Sequence, residues 1–139
     1  MFEKAVVGGT FDGLHEGHRV LLAVAAGCCR QLTVGLTSDE FANRFRTRVV
    51  KPYESRKADL TSLLDSVKAG CYTVVEIDDS YGLATVQEDL ECIVVSTETL
   101  LRAQEINAIR RKKRLSELVV VVVPLVCDES GTPLSNTHE

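Results

Sequence analysis

Residues 8–18, Gly8-Gly9-Thr10-Phe11-Asp12-Gly13-Leu14-His15-Glu16-Gly17-His18, decide how this chain is read. The apolar run Ala5-Val6-Val7 leads into the two glycines, and residues 19–29 follow as an apolar, alanine-rich helix. A strand that passes through glycine into a helix start is the local grammar of a phosphate site. Glycine lets backbone N–H groups approach an anion, and the first helical turn adds unpaired N–H groups and the positive end of the dipole. His15 and His18 are three apart and share one helical face, with no side chain on Gly17 between them. Without a nearby third Cys, His or carboxylate the pair is a weak zinc set, so no metal site is expected; a structural pair at a helix start is the plainer alternative to phosphate binding. The spacing is neither G-x-G-x-x-G nor a Walker loop, which points away from hydride transfer and P-loop hydrolysis.

Outward from this turn, apolar segments at 4–7, 31–36, 72–77, 91–95 and 118–123 read as strands. Between them, Thr37-Ser38-Asp39-Glu40 reads as a helix N-cap with acidic first-turn residues. Pro52 opens a helix whose Leu60, Leu63, Leu64 and Val67 recur at helical spacing up to Gly70, and Ser96 or Thr97 caps another that runs to about Arg114. A short helix is expected after the turn-rich loop at 78–84. Strands alternating with helices predict an α/β fold, a Rossmann-like three-layer sandwich with a five-stranded, mostly parallel sheet, as a single domain over 1–139. The run Leu118-Val119-Val120-Val121-Val122-Val123 is the most apolar, which predicts a central or near-central strand. Arg44, Arg46, Arg48 and Lys51 follow the second strand as a solvated loop or as the anion-attracting wall of a cleft. Arg110-Arg111-Lys112-Lys113-Arg114 reads as a solvated helix end whose cations complement the dipole.

The 139 residues carry a net charge of −4, which argues against broad nucleic-acid binding. Five cysteines (Cys28, Cys29, Cys71, Cys92 and Cys127) include no C-x-x-C, and most fall inside predicted elements. Buried, reduced thiols in the cytoplasm are expected rather than a disulfide framework. No signal peptide or membrane segment is expected. No nucleophile stands beside a base, which favours direct displacement driven by positioning and charge stabilisation.

Residues 9–18 resemble the G-T-F-D…H-x-G-H signature of the nucleotidyltransferase superfamily. Lys51-Pro52-Tyr53-Glu54-Ser55-Arg56 resembles P-Y-x-x-R, and Asp78-Asp79-Ser80-Tyr81-Gly82-Leu83-Ala84 resembles D-D-x-Y-G-x-A. Val94-Val95-Ser96-Thr97-Glu98-Thr99 resembles V-V-S-x-E-T, Ile106-Asn107-Ala108-Ile109-Arg110-Arg111 resembles I-N-x-I-R-R, and Leu134-Ser135-Asn136-Thr137 resembles I-S-S-T. In this order, over almost the whole chain, the segments resemble the phosphopantetheine adenylyltransferases of the archaeal and eukaryotic type. The resemblance implies adenylyl transfer from ATP to 4′-phosphopantetheine, giving dephospho-coenzyme A and pyrophosphate, in a direct in-line step without a covalent enzyme intermediate, by a monomer with Mg²⁺ carried on ATP. It implies catalytic roles for His18, Thr10 and Lys51. It implies nucleotide contacts at Gly8, Gly9, Thr10, Phe11, His15, Gly17, His18, Ser96, Glu98, Asn107, Ser135, Asn136 and Thr137. Thr10, Lys51, Tyr81, Gly82 and Leu83 would face the acceptor.

The terminal loop departs from the family's pattern, with Asn136 and His138 where Ser and Arg are usual, and the sequence ends at Glu139 where the family continues into a helix. A truncated chain or a weakened phosphate site is therefore expected. The sequence also admits a cytidylyltransferase or nicotinamide-mononucleotide adenylyltransferase with the same opening motif, or a nucleotide- or coenzyme A-binding protein with impaired catalysis.

Overall fold

The computed structural model describes residues 1–44, 50–67, 69–79 and 81–124. Strands β1 (Phe2–Gly9), β2 (Cys29–Thr37), β3 (Cys71–Ile77), β4 (Cys92–Ser96) and β5 (Val119–Val123) form one sheet in the order β3-β2-β1-β4-β5. Every neighbouring pair is parallel. Helices α1 (Glu16–Gly27), α2 (Asp39–Asn43), α3 (Tyr53–Ser66) and α4 (Leu100–Lys112) lie between the strands, with 3₁₀ turns at Gly82–Thr85 and Thr97–Thr99. The predicted α/β sandwich is present. The helix expected after the 78–84 loop does not form; the first of these 3₁₀ turns lies mostly within that loop.

Alternation along the strands builds the layers. Ala5 and Val7 of β1 pack with Leu22 and Ala25 of α1 and Leu60 and Leu64 of α3. Val6 points the other way and joins Ile93 and Val95 of β4 with Ala103 and Ile106 of α4. The first face is thus covered by α1 and α3, and the β1–β4 half of the second by α4. On that second face Thr33, Gly35 and Thr37 of β2 and Val75 and Ile77 of β3 line an open cleft instead.

The valine-rich strand is not central. β5 occupies the sheet edge beside β4, and its Val119 is 51% exposed. Position in a parallel sheet follows from the order of crossovers, and that order is not written in a strand's own apolarity. The central strand is β1, flanked by β2 and β4. The basic run after Ile109 is also not wholly solvated: Arg110 has no exposed surface. Its Nε donates to Ser116 O at 2.6 Å, and its Nη1 donates to Ala84 O and Gln87 O at 2.8 and 2.9 Å, tying α4 to the 3₁₀ turn.

Cys29 and Cys92 are buried, and burial pushes their thiols up to about 11 and about 12. Cys71, by contrast, is exposed, Cys28 is half-buried, and Cys127 lies outside the described residues. No described helix is long and apolar enough to cross a membrane. One core position and one edge position give a direct test of the layering. Leu22→Ala, at a site with no exposed surface, should lose about 2–5 kcal/mol. Val119→Thr at the edge should stay within about 0.5 kcal/mol, both read from urea midpoints.

Candidate active site

Parallel strands deliver all their carboxyl ends to one rim, and β1 lies where the chain's winding reverses, between β2 and β4. Ligand crevices of open α/β sheets form at that position. The cleft here has a volume of about 430 Å³. Its floor is shaped by close approach: a Cβ on Gly35 would stand 3.2 Å from Ile77 Cδ1, and one on Gly82 would stand 3.0 Å from Ile77 Cγ2. Glycine at these positions lets the Ile77 side chain lie flat against the sheet.

At the β1–α1 turn, Phe11 is buried with φ of 50°, a left-handed conformation rarely adopted by a bulky side chain. Its ring packs over Gly9 and lies 5.6 Å from the His18 ring centroid. The His15 and His18 rings are 4.1 Å apart. His15 caps α1: its Nδ1 accepts from Gly17 N–H at 3.0 Å, and its side chain also accepts from the His18 N–H. In return His18 Nδ1 accepts from His15 N–H at 3.3 Å. Two first-turn N–H groups expected to be open to an anion are therefore held by His15. With Nδ1 accepting in each ring, a neutral imidazole at either position carries its proton on Nε2. Gly17 is required because a Cβ there would meet His15 Cε1 at 2.9 Å.

Beneath this turn sits Arg56 of α3, with no exposed surface. Its Nη1 donates to Thr10 O at 3.1 Å, Thr37 O at 2.9 Å and Thr37 Oγ1 at 3.3 Å. Its Nε donates to Lys51 O at 2.8 Å, and its Nη2 pairs with Asp39 Oδ1 at 2.9 Å. Thr37 Oγ1 in turn donates to Thr10 Oγ1 at 3.1 Å. Asp12 Oδ1 accepts from Lys51 N–H at 3.2 Å. The P-Y-x-x-R segment is legible as a motif, but it does not by itself assign a role to Arg56. The available signal is that Arg56 stands in line with Leu60 and Leu64, on the buried stripe of its own helix.

The cleft gathers most of the expected residues. Gly8, Gly9, Thr10 and Phe11 line it from β1 and its turn, Tyr81, Gly82 and Leu83 from the loop after β3, and Ser96 and Glu98 from the end of β4. Asp79 Oδ1 shapes the second group by accepting from the N–H groups of Tyr81 and Gly82 at 2.9 and 2.6 Å. Tyr81 OH donates to Glu105 Oε2 at 2.9 Å, which raises the phenol pKa, and its ring lies under the Arg102 guanidinium at 5.6 Å. Ser96 N–H donates to Thr99 Oγ1 at 3.1 Å, forming the cap of the turn that leads into α4. His15, Gly17 and His18 are not among the residues that line the cleft; they form the N-cap and first turn of α1, with His18 buried.

Two expected residues are directed elsewhere. Asn107 spends both ends of its amide on Leu118, donating to its O at 3.0 Å and accepting from its N–H at 2.7 Å, so it fastens α4 to the approach to β5. Lys51 reaches the site through its backbone, while its 57%-exposed side chain places Nζ 3.4 Å from Asp59. Arg44 pairs with Glu40 at 3.7 Å and covers Phe41, so neither described basic side chain of this loop lines the cleft. Arg46, Arg48, Ser135, Asn136, Thr137 and His138 lie outside the described residues.

The cytidylyltransferase-like family model matches residues 6–138. A phosphopantetheine adenylyltransferase of Pyrobaculum aerophilum is 41% identical over 99% of this chain and 89% of the relative. Another from Methanopyrus kandleri is 37% identical over 99% of this chain and 88% of the relative. A crystal structure of an Archaeoglobus fulgidus protein of unknown function superposes with a TM-score of 0.76 at 35% identity, covering 86% of this chain and 88% of that one. The capping geometry is open to direct observation by long-range ¹H–¹⁵N spectroscopy at alkaline pH. His15 and His18 should both show protonated Nε2 and unprotonated Nδ1, and Gly17→Ala should disturb that pattern first at His15.

Proposed function

The chain belongs to the cytidylyltransferase-like family and, within it, to the phosphopantetheine adenylyltransferases, and from that membership we propose that it transfers the adenylyl group of ATP to 4′-phosphopantetheine in coenzyme A synthesis. The observation that carries this reading is one cleft lined jointly by Gly8 to Thr10, Tyr81 to Leu83, and Ser96 with Glu98. An oxygen of the acceptor phosphate attacks the α-phosphorus of ATP. The new O–P bond forms as the bond to the β-phosphate bridging oxygen breaks, and the electron pair leaves with pyrophosphate. Dephospho-coenzyme A is the other product. The nucleophile is already an anion, so no base has to remove a proton.

What such a transfer needs is a donor aimed where charge accumulates and a rigid placement of both phosphates. His18 supplies the first: its Nε2–H, fixed by the Nδ1 bond to the His15 backbone, is suited to an α-phosphate oxygen. Thr10 serves the acceptor phosphate, His15 holds the turn, and the glycine backbone keeps the approach open. Tyr81, Gly82 and Leu83 flank the pantetheine arm, and Ser96 with Glu98 the nucleoside side. Ser135, Asn136 and Thr137 are assigned the β- and γ-phosphates on the family's pattern alone. Lys51 would have to leave Asp59 to reach a phosphate and is given no step, nor is Asn107, whose amide is committed to Leu118.

Imidazoles and hydroxyls at the glycine loop suit phosphate oxygens better than a hard cation. Mg²⁺ would therefore enter on the ATP phosphates, where it offsets their charge. Among the described residues no group of three or more His, Cys, Asp or Glu is arranged to hold a metal. The same proposal has the enzyme acting as a monomer in the cytoplasm.

Pyrophosphate release tests the assignment. ATP with 4′-phosphopantetheine should turn over, while CTP, or ATP with nicotinamide mononucleotide, should stay at background; the opposite preference sinks it. His18→Ala should lower kcat by about 10²–10³-fold in a protein that still folds, the scale expected for one lost transition-state donor.

A further inference from the structure

The hydrogen bonds around Arg56 have a direction. A guanidinium only donates, so Thr37 Oγ1, 3.3 Å from Arg56 Nη1, must accept there and turn its own hydrogen elsewhere. That hydrogen goes to Thr10 Oγ1 at 3.1 Å. Thr10, having accepted, directs its own hydroxyl hydrogen away from Thr37, and Thr10 lines the cleft. The order of donation is therefore Arg56 to Thr37 to Thr10. Register makes the arrangement possible: Gly9 pairs with Leu36 in the β1–β2 ladder, so Thr10 and Thr37 are the next residues along each chain.

We propose that Thr37 is a positioning residue for the transfer: oriented by Arg56, it fixes Thr10 as a hydrogen-bond donor toward an oxygen of the phosphorylated acceptor. This deepens the adenylyl-transfer reading and rests on it. A lone threonine hydroxyl can present either a hydrogen or a lone pair, and a phosphate oxygen accepts only the former. Fixing the rotor in advance removes a reorganisation that would otherwise accompany each encounter. Arg56 also holds the main-chain carbonyls of Thr10 and Thr37, so the backbone under the relay is kept in place by the same group.

The test is a double-mutant cycle in the full chain with ATP and 4′-phosphopantetheine. Thr37→Val, Thr10→Val and the double variant are compared by kcat and by KM for each substrate, with folding checked by thermal melts. Thr37→Val should cut kcat/KM for 4′-phosphopantetheine by about tenfold to 10²-fold, the range for a displaced reacting group, and leave KM for ATP unchanged. Thr37→Ser should restore it. In the Thr10→Val background, adding Thr37→Val should cost nothing further, since a residue acting through Thr10 has nothing left to act through. Undiminished activity in Thr37→Val, additive losses, or no rescue by serine would overturn the relay. If Thr37→Val fails to fold, Thr37→Ala takes its place in the same cycle. An inactive unmodified protein would instead overturn the functional reading, and the relay with it, so the two failures are told apart by the first measurement.

Discussion

A guanidinium with no exposed surface is the constraint on which the active end of this protein depends. An isolated charge at such a depth would cost several kcal/mol. Arg56 is tolerated because the carbonyls of Thr10, Thr37 and Lys51, the Thr37 hydroxyl and the Asp39 carboxylate all converge on it. These acceptors belong to the end of β1, the end of β2, the start of α2 and the chain entering α3. Hydrogen bonding to one planar cation therefore fixes four segments that the hydrophobic core alone leaves free to shift. The two cores secure the middle of the sheet, and Arg56 secures its rim. Removal of a partner would leave a buried charge short of an acceptor, which costs more than the bond itself contributed.

Local signals made much of the architecture readable. Gly8-Gly9 after an apolar run, Thr37-Ser38 before two acidic residues and Pro52 before a helical stripe each describe their own neighbourhood, and each stands where its pattern placed it. The position of β5 was not readable for the complementary reason. Strand order is set by which edge each crossover reaches, a property of the whole winding. Five valines in a row are compatible with an edge in which Val120 and Val121 pack against opposite cores while Val119 faces outward.

Site residues were legible as positions more than as side-chain directions. Motif spacing brought Thr10, Tyr81 and Ser96 to one cleft, because the ends of parallel strands must meet there. It could not say that the Asn107 amide would close on Leu118 or that the Lys51 amine would turn to Asp59, since those outcomes depend on neighbours distant in sequence. Both buried arginines were visible in retrospect. Arg56 continues the stripe of Leu60 and Leu64, and Arg110 continues that of Ala103 and Ile106. An arginine in register with a buried stripe has carbonyls to bind or it would not be there.

Charge along the cleft gives it a polarity. Three carboxylates, Asp79, Glu98 and Glu105, line it, with Arg102 as their basic neighbour, whereas the glycine-loop end has imidazoles close by and the Arg56 cation beneath. A polyphosphate is repelled from the first group and attracted to the second, an effect that strengthens where water is scarce. On the proposed reading, the phosphates of both substrates settle at the β1–β2 rim, leaving the pantetheine arm and the nucleoside to extend over the sheet. The flat floor of Gly8, Gly35 and Ile77 is shaped for those apolar and planar parts. Placement of the reacting phosphates thus follows from where this fold buries the Arg56 cation, against the carbonyls of Thr10 and Thr37 at the ends of β1 and β2.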